Sequence, residues 1–346
     1  MFDVAKGILM LLIILLHQKM LFHVDLQIGH PLLSLRWGED YDAVLVGLFF
    51  MMAGYGSRAE KDLGGYVKRS VKDNLIPYFW TMIGVMALMV VRCLCRGEVG
   101  PQDFSSVLLG FLYGNGVPGA KLFGVWEMRS VGAAWFLPAL FWSGLIHQLL
   151  LRVKRPAVRE TLIFGVSLAA AACPGAHVPW RLLPGCAAVG FREAGRLLKE
   201  KKVLYQKVNW LLAAAAIALT LTAPQFTTVK FGSNHWRLWA LDYVPAAAAC
   251  GVVLQFYIKS GLAVAKFADA LAYVGRYSLL FLCVHSVELT MLPWNKLYAR
   301  ILAPLGLPWG AAFLVMYAVR VLGDALGCQM IVWMSGRIKK ARRSQV

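Results

Sequence analysis

The stretch DVAKGILMLLIILLHQKMLF, Asp3 to Phe22, decides the class of this protein. It is apolar over most of its length, and a helix rising about 1.5 Å per residue needs roughly 20 such residues to cross the hydrocarbon of a bilayer. Blocks of the same kind recur along the chain. They read as spans over about Tyr41 to Ser57, Leu75 to Cys95 and Ala133 to Leu151. Two weaker ones follow, Val158 to Cys173 and Leu182 to Leu198. The last four cover Val208 to Ala223, Leu238 to Ile258, Phe267 to Leu289 and Leu307 to Met334. The expected fold is all-α, a polytopic transmembrane bundle of about ten helices. Phe104 to Tyr113 is too short to span and reads as an interfacial or re-entrant helix. Composition agrees, since the 346 residues are 59% hydrophobic and only 16% charged.

A net charge of +18 would suit a nucleic-acid binder, but its distribution argues against one. The basic residues gather in alternate loops between the apolar blocks, as they do where loops face the cytoplasm and an anionic leaflet. With the N-terminus inside, the inner segments hold about twenty Lys and Arg against about ten outside, which places both termini in the cytoplasm. The first outer loop fits, with Asp25, Glu39 and Asp40 against Arg36 alone. Residues 1–336 read as one transmembrane domain and 337–346 as a short basic cytoplasmic tail, with the lipid bilayer as the constant partner.

Lys6 and the apolar run Gly7 to Leu16 imitate a signal peptide, but no small-x-small cleavage site follows, so the segment reads as a retained helix. Cys173, Cys186, Cys250, Cys283 and Cys328 lie in or beside apolar segments and read as small buried hydrophobes. Cys93 and Cys95, one residue apart, match neither zinc nor thioredoxin spacing, and no metal site is expected.

Within the first span, Lys6 and His17 are eleven residues apart. At about 100° per residue they share nearly one face, separated by roughly 16 Å along the axis. Lys6 then lies near the inner interface and His17 deep in the membrane, where an ionisable group faces a protein interior or a water-filled cavity. An imidazole can take a proton from a hydroxyl nucleophile, and a cation at the cytoplasmic mouth can hold a phosphate-bearing donor. The plainer reading is that Lys6 snorkels to the headgroups and His17 bonds a neighbouring helix.

The run DVAKGILMLLIILLH, Asp3 to His17, resembles the opening of the acyltransferase family 3 membrane enzymes, whose first helix carries a basic residue, ten residues, then histidine. The Asp-x-Ala-Lys-Gly form is similar to the branch that includes fucose O-acetylase-like proteins. Four further blocks agree in order: LFFMMAGYGSR from Leu48, KRSVKDNLIPYFW from Lys68, AAWFLPALFW from Ala133 and GRYSLLFLCVH from Gly275. Ala53 stands where the family's aromatic run usually has serine.

The resemblance implies a membrane O-acyltransferase in a bacterial plasma membrane. It would move an acyl group, acetyl by the usual pattern, from cytoplasmic acyl-coenzyme A to a hydroxyl of a cell-envelope glycan or glycolipid. Acyl-coenzyme A is then a donor substrate and no cofactor is permanently bound. His17 would act as general base, or carry the acyl group itself, with Lys6, Lys68, Arg69 and Lys72 meeting the donor phosphates.

Other polar residues in apolar blocks have two readings each. Arg192 and Glu193 pair with each other or line the cavity. His285, near the outer end of its helix, meets the acceptor or makes a structural hydrogen bond, and Arg276 opens the same motif. Arg320 and Asp324, one helical step apart, read as a structural pair, and His147 as facing the cytoplasmic interface. Trp135 is an interfacial anchor or an acceptor platform. Glu127, Trp126 and Trp180 are weaker candidates for the site. Two rival functions use the same residues, a proton-coupled small-molecule transporter and an inactive partner in a glycan-assembly complex. Matched repeats with interrupted helices, the mark of many transporters, are not evident.

Overall fold

The computed structural model describes residues 2–34, 42–96, 100–173, 178–261 and 266–343. Arg36, Glu39, Asp40 and Tyr41, and positions 344–346 of the tail, lie outside them. Nearly everything described is helical. Strands are confined to two short antiparallel hairpins, one pairing Ala120–Leu122 with Trp126–Met128, the other Val229–Lys230 with His235–Trp236.

Five helical runs are long and apolar enough to cross a membrane: Asp3–Asp25, Leu63–Cys95, Gly132–Leu150, Ala240–Lys259 and Trp309–Gly336. A sixth joins Ala268–Arg276 to Ser278–Met291, and this pair bends by 75°. The expected continuous helix from Phe267 to Leu289 is therefore broken at Tyr277. Ala43–Gly56 and Trp210–Thr220 are apolar but shorter. Large apolar side chains such as Trp80, Leu94, Leu211, Leu241, Leu314 and Leu326 are exposed, as lipid-facing positions are.

Packing divides the chain into two compact units, Met1–Leu35 with Lys266–Val346, and Arg36–Ala265. In chain order the helices are α1 (Asp3–Met20) and α2 (Pro31–Ser34) of the first unit. The second holds α3 (Ala43–Gly56), α4 (Leu63–Ser70), α5 (Ile76–Arg96), α6 (Pro101–Tyr113), α7 (Phe136–Leu150), α8 (Pro156–Ala171), α9 (Leu182–Glu200), α10 (Trp210–Phe226) and α11 (Ala240–Lys259). The chain returns to the first unit with α12 (Ala268–Arg276), α13 (Ser278–Met291), α14 (Trp294–Leu297) and α15 (Trp309–Arg343). The Phe104–Tyr113 segment is thus part of the helix α6.

In the first unit, α1 packs most closely on α12 and also touches α13 and α15. Glycine permits this approach. A side chain on Gly7 would overlap the Leu271 carbonyl, and one on Gly275 would overlap the Asp3 carbonyl. Near the far end of α1 an apolar cluster joins Leu21 and Phe22 to Leu33, Trp294, Ala312 and Met316. We expect Gly275→Val to force the two helices apart and to lower the thermal unfolding midpoint of the detergent-solubilised protein by several degrees or more.

In the second unit, α9 is the central helix, packed on α3, α7 and α8. A side chain on Gly54 would overlap the Arg192 carbonyl, and one on Gly195 the Met51 carbonyl. Most of α9 from Pro184 to Arg196 is buried, including three charged side chains. Because protein rather than lipid surrounds it, α9 carries small and polar residues, which is why its sequence reads as a weak span. The neighbouring loop is fixed by Arg181, which donates from Nε to the Gly114 carbonyl at 2.7 Å and from Nη2 to Asn115 Oδ1 at 3.0 Å. All the described cysteines are free. Cys250, Cys283 and Cys328 are buried as expected, whereas Cys173 is exposed at a helix end and Cys186 is half-buried.

Candidate active site

Three helices of the first unit bring one polar cluster together. Helix α1 supplies His17 and Gln18, α13 supplies His285 and Glu288, and α15 supplies Arg320 and Asp324. On α13 and α15 the members are three and four residues apart, so each pair lies on one helical face. His285 is fully buried, and its Nδ1 lies 3.0 Å from Asp324 Oδ2 and 2.8 Å from Glu288 Oε2. Arg320 donates to Glu288 through Nε at 2.7 Å and Nη2 at 3.3 Å, and through Nη1 to Gln18 Oε1 at 3.0 Å. Its guanidinium also sits 5.5 Å from the Trp294 ring centre.

The two imidazoles are adjacent, with centroids 5.3 Å apart and planes tilted by 49°. The carboxylates fix the roles on His285, because an Nδ1–H donated to them leaves Nε2 as the free nitrogen. That Nε2 is buried and has no hydrogen-bond partner. His17 is half-buried, and its side chain makes no hydrogen bond among the described residues. It lines a cavity of about 310 Å³ together with Asp25, Leu289, Trp294, Asn295 and Arg320. Behind the cavity-lining imidazole stands a second, whose Nδ1 meets two carboxylates, and one of these, Glu288, is held by Arg320.

His285, Glu288 and Asp324 offer donor types a divalent metal accepts, with ligand atoms within 4.8 Å of one another. Arg320 argues against that use, since a guanidinium 2.7 Å from the Glu288 carboxylate already compensates it and repels a second cation. The cluster is better described as a hydrogen-bonded network.

Several sequence expectations are redirected by this geometry. Arg320 and Asp324 do not pair with each other; each reaches across to α13. His285 lies in the body of α13 rather than at its outer end. Glu288 and Gln18 join the cluster without standing out in the sequence, although His-x-x-Glu on an apolar helix is a signal of paired intramembrane groups. Lys6 is on the same helix as His17, as the spacing requires, and is partly exposed with its Nζ 3.6 Å from Asp3 Oδ1. Arg276 ends α12 at the 75° bend and is exposed.

The remaining candidates belong to the second unit. Lys68 and Arg69 lie on α4 and Lys72 in the π-helical turn after it, all three exposed, with Arg69 Nη2 3.1 Å from Glu60 Oε1. Arg192 and Glu193 do not pair, because adjacent residues on a helix point about 100° apart. Glu193 instead bonds His147 Nε2 at 2.8 Å and Arg196 Nε at 2.8 Å, and Arg196 also reaches Glu160 and Glu200. His147 is accordingly fully buried, not at an interface. Without the acid Arg196 keeps Glu160 and Glu200 but loses its most buried counter-charge, so Glu193→Gln is expected to destabilise the protein by about 1–3 kcal/mol. Chemical unfolding in mixed micelles measures it. Trp135 is pressed against Gly116 and Gly232 and against Phe136, a packing position. Trp126 and Glu127 lie on an exposed hairpin strand, and Trp180 in the short 3₁₀ turn before α9.

The acyltransferase-domain family matches residues 2–323. The chain belongs to this acyltransferase family. The match takes in both units and every member of the His17 network except Asp324, one position beyond its end. No curated protein and no solved structure matches the chain. Family and apolar helices together identify an integral membrane acyltransferase.

Proposed function

We propose that this acyltransferase moves an acetyl group from cytoplasmic acetyl-coenzyme A to a hydroxyl of a cell-envelope glycan or glycolipid, with His17 as general base. The observation that carries the reading is the unpartnered His17 ring on a cavity of about 310 Å³, backed by the anchored His285. The acceptor hydroxyl oxygen attacks the thioester carbonyl carbon while His17 takes its proton. The tetrahedral intermediate then expels the coenzyme A sulfur, which recovers the proton from His17. An ester and free coenzyme A result. With both histidines neutral, Arg320, Glu288 and Asp324 sum to one negative charge, so the proton received by His17 brings the cluster to neutrality. His285 acts through His17, as a positioning residue.

The chain crosses a bacterial plasma membrane about ten times, with both termini cytoplasmic, residues 1–336 as the transmembrane part and 337–346 as a basic tail. The excess of Lys and Arg in alternate loops supports that orientation. Asp-x-Ala-Lys-Gly at Asp3 supports the fucose O-acetylase-like branch. Lys6, and in the second unit Lys68, Arg69 and Lys72, serve the anionic donor. The direct test supplies labelled acetyl-coenzyme A and envelope glycan to the purified protein and follows label into the glycan. A transporter is the second reading, favoured by the break at Tyr277, since transporters build binding sites at interrupted helices. Saturable uptake into proteoliposomes without any acyl transfer would select it.

A further inference from the structure

Four arginines are buried among the described residues: Arg181, Arg192, Arg196 and Arg320. Three of them are fully engaged. Arg181 donates to Gly114 and Asn115, Arg196 to Glu160, Glu193 and Glu200, and Arg320 to Glu288 and Gln18. Arg192 is different. It is 8% exposed, yet makes no hydrogen bond or ion pair among the described residues, and its Nε is buried without a partner.

A guanidinium stays protonated inside proteins, and burial without a counter-charge is strongly unfavourable. The carboxylate next to it in the chain cannot serve, because Glu193 is occupied by His147 and Arg196. A second donor stands beside Arg192. The Tyr66 hydroxyl and Arg192 Nη1 crowd the same point over α7, where a side chain on Gly144 would begin, with Nη1 3.3 Å from it. The hydroxyl makes no hydrogen bond among the described residues either. Glycine at 144 thus lets two unsatisfied donors, from α4 and α9, converge on one place.

We propose that Arg192 and Tyr66 form a binding site for a phosphate-ester oxyanion within the second unit. A planar guanidinium fork beside a hydroxyl donor matches phosphate oxygens. Tyr66 shares its helix with the exposed Lys68 and precedes Lys72, so a ligand with more than one negative charge meets further cations along its approach. Arg192 lies eight residues before Glu200, the end of α9, about 12 Å along the axis, so the group that reaches it is carried on an extended ligand or a lipid. Two sources share this chemistry, a soluble phosphate ester such as coenzyme A and an anionic phospholipid headgroup. The site does not require the catalytic role of His17, because it is read by binding, without turnover.

The test uses the full chain in phosphatidylcholine nanodiscs, probed with coenzyme A and with inorganic phosphate by equilibrium titration. A parallel set containing phosphatidylglycerol is examined by native mass spectrometry for retained lipid. Arg192→Gln is expected to weaken binding by on the order of tenfold or more, and Tyr66→Phe by a few-fold. An Arg192-dependent loss of coenzyme A binding in neutral discs assigns the soluble source. A loss of retained phosphatidylglycerol with coenzyme A binding unchanged assigns the lipid. If Arg192→Gln does not fold, Arg192→Lys and Tyr66→Phe carry the test, both expected to bind more weakly than wild type. Wild type that binds none of the three probes, or variants that bind all of them within twofold of wild type, overturns the site.

Discussion

Replacing His17 by alanine is expected to lower the rate of acyl transfer by about a thousandfold while leaving the protein folded. A positioned general base contributes roughly 10²–10⁴ in rate, and no other described imidazole lines the cavity. The His17 side chain is half-buried and makes no hydrogen bond among the described residues, so its loss breaks no hydrogen bond and removes only its ring contact with His285 and neighbouring packing. Release of coenzyme A thiol, followed with acceptor glycan present, reads the rate, and an unchanged unfolding midpoint confirms that the fold survives. A fall in kcat with KM for acetyl-coenzyme A preserved is the pattern expected of a group that acts on the acceptor proton.

The second large effect is expected at Asp324. Asp324→Asn keeps the shape of the side chain but removes one of the two negative charges that meet His285 Nδ1 at 3.0 Å and 2.8 Å. A cluster that sums to neutrality before catalysis no longer compensates a proton arriving on His17, and kcat should drop about a hundredfold. The dependence of kcat on pH should also change, because a negative charge is lost beside two imidazoles whose centroids are 5.3 Å apart. A merely structural Asp324 would lower the unfolding midpoint and leave that profile in place. Asp324→Glu, which restores the charge, should recover part of the lost rate.

How much of this was legible depends on what surrounds each residue. Helices with a lipid-facing side, such as α1, α5, α11 and α15, announce themselves by apolar length, and the ends of the first three fall close to the expected ones, while α15 runs past Met334 to Arg343. Helix α9 reads weakly because its surroundings are other helices, so Gly190 and Gly195 on its interfaces and buried Arg196 and Glu193 replace the expected apolar face. The break at Tyr277 has no proline to mark it. In the site, Lys6 and His17 were visible because their relation lies within one helix. Partners on different helices were not. Arg320 and Asp324 suggested a local pair by spacing, but three-dimensional packing hands Arg320 to Glu288 and Asp324 to His285. Likewise Arg192 and Glu193 look like an ion pair in sequence and diverge on the helix, one into a network and the other to Tyr66.

The central claim is that acyl transfer passes through the His17 imidazole. Inside-out membrane vesicles carrying either the wild-type protein or His17→Ala, at equal abundance, can be supplied with radiolabelled acetyl-coenzyme A and assayed for ester-bound label on envelope glycan. Alkali-labile label is expected with wild type, and less than about a hundredth of it with His17→Ala. Equal labelling by the two proteins would contradict it.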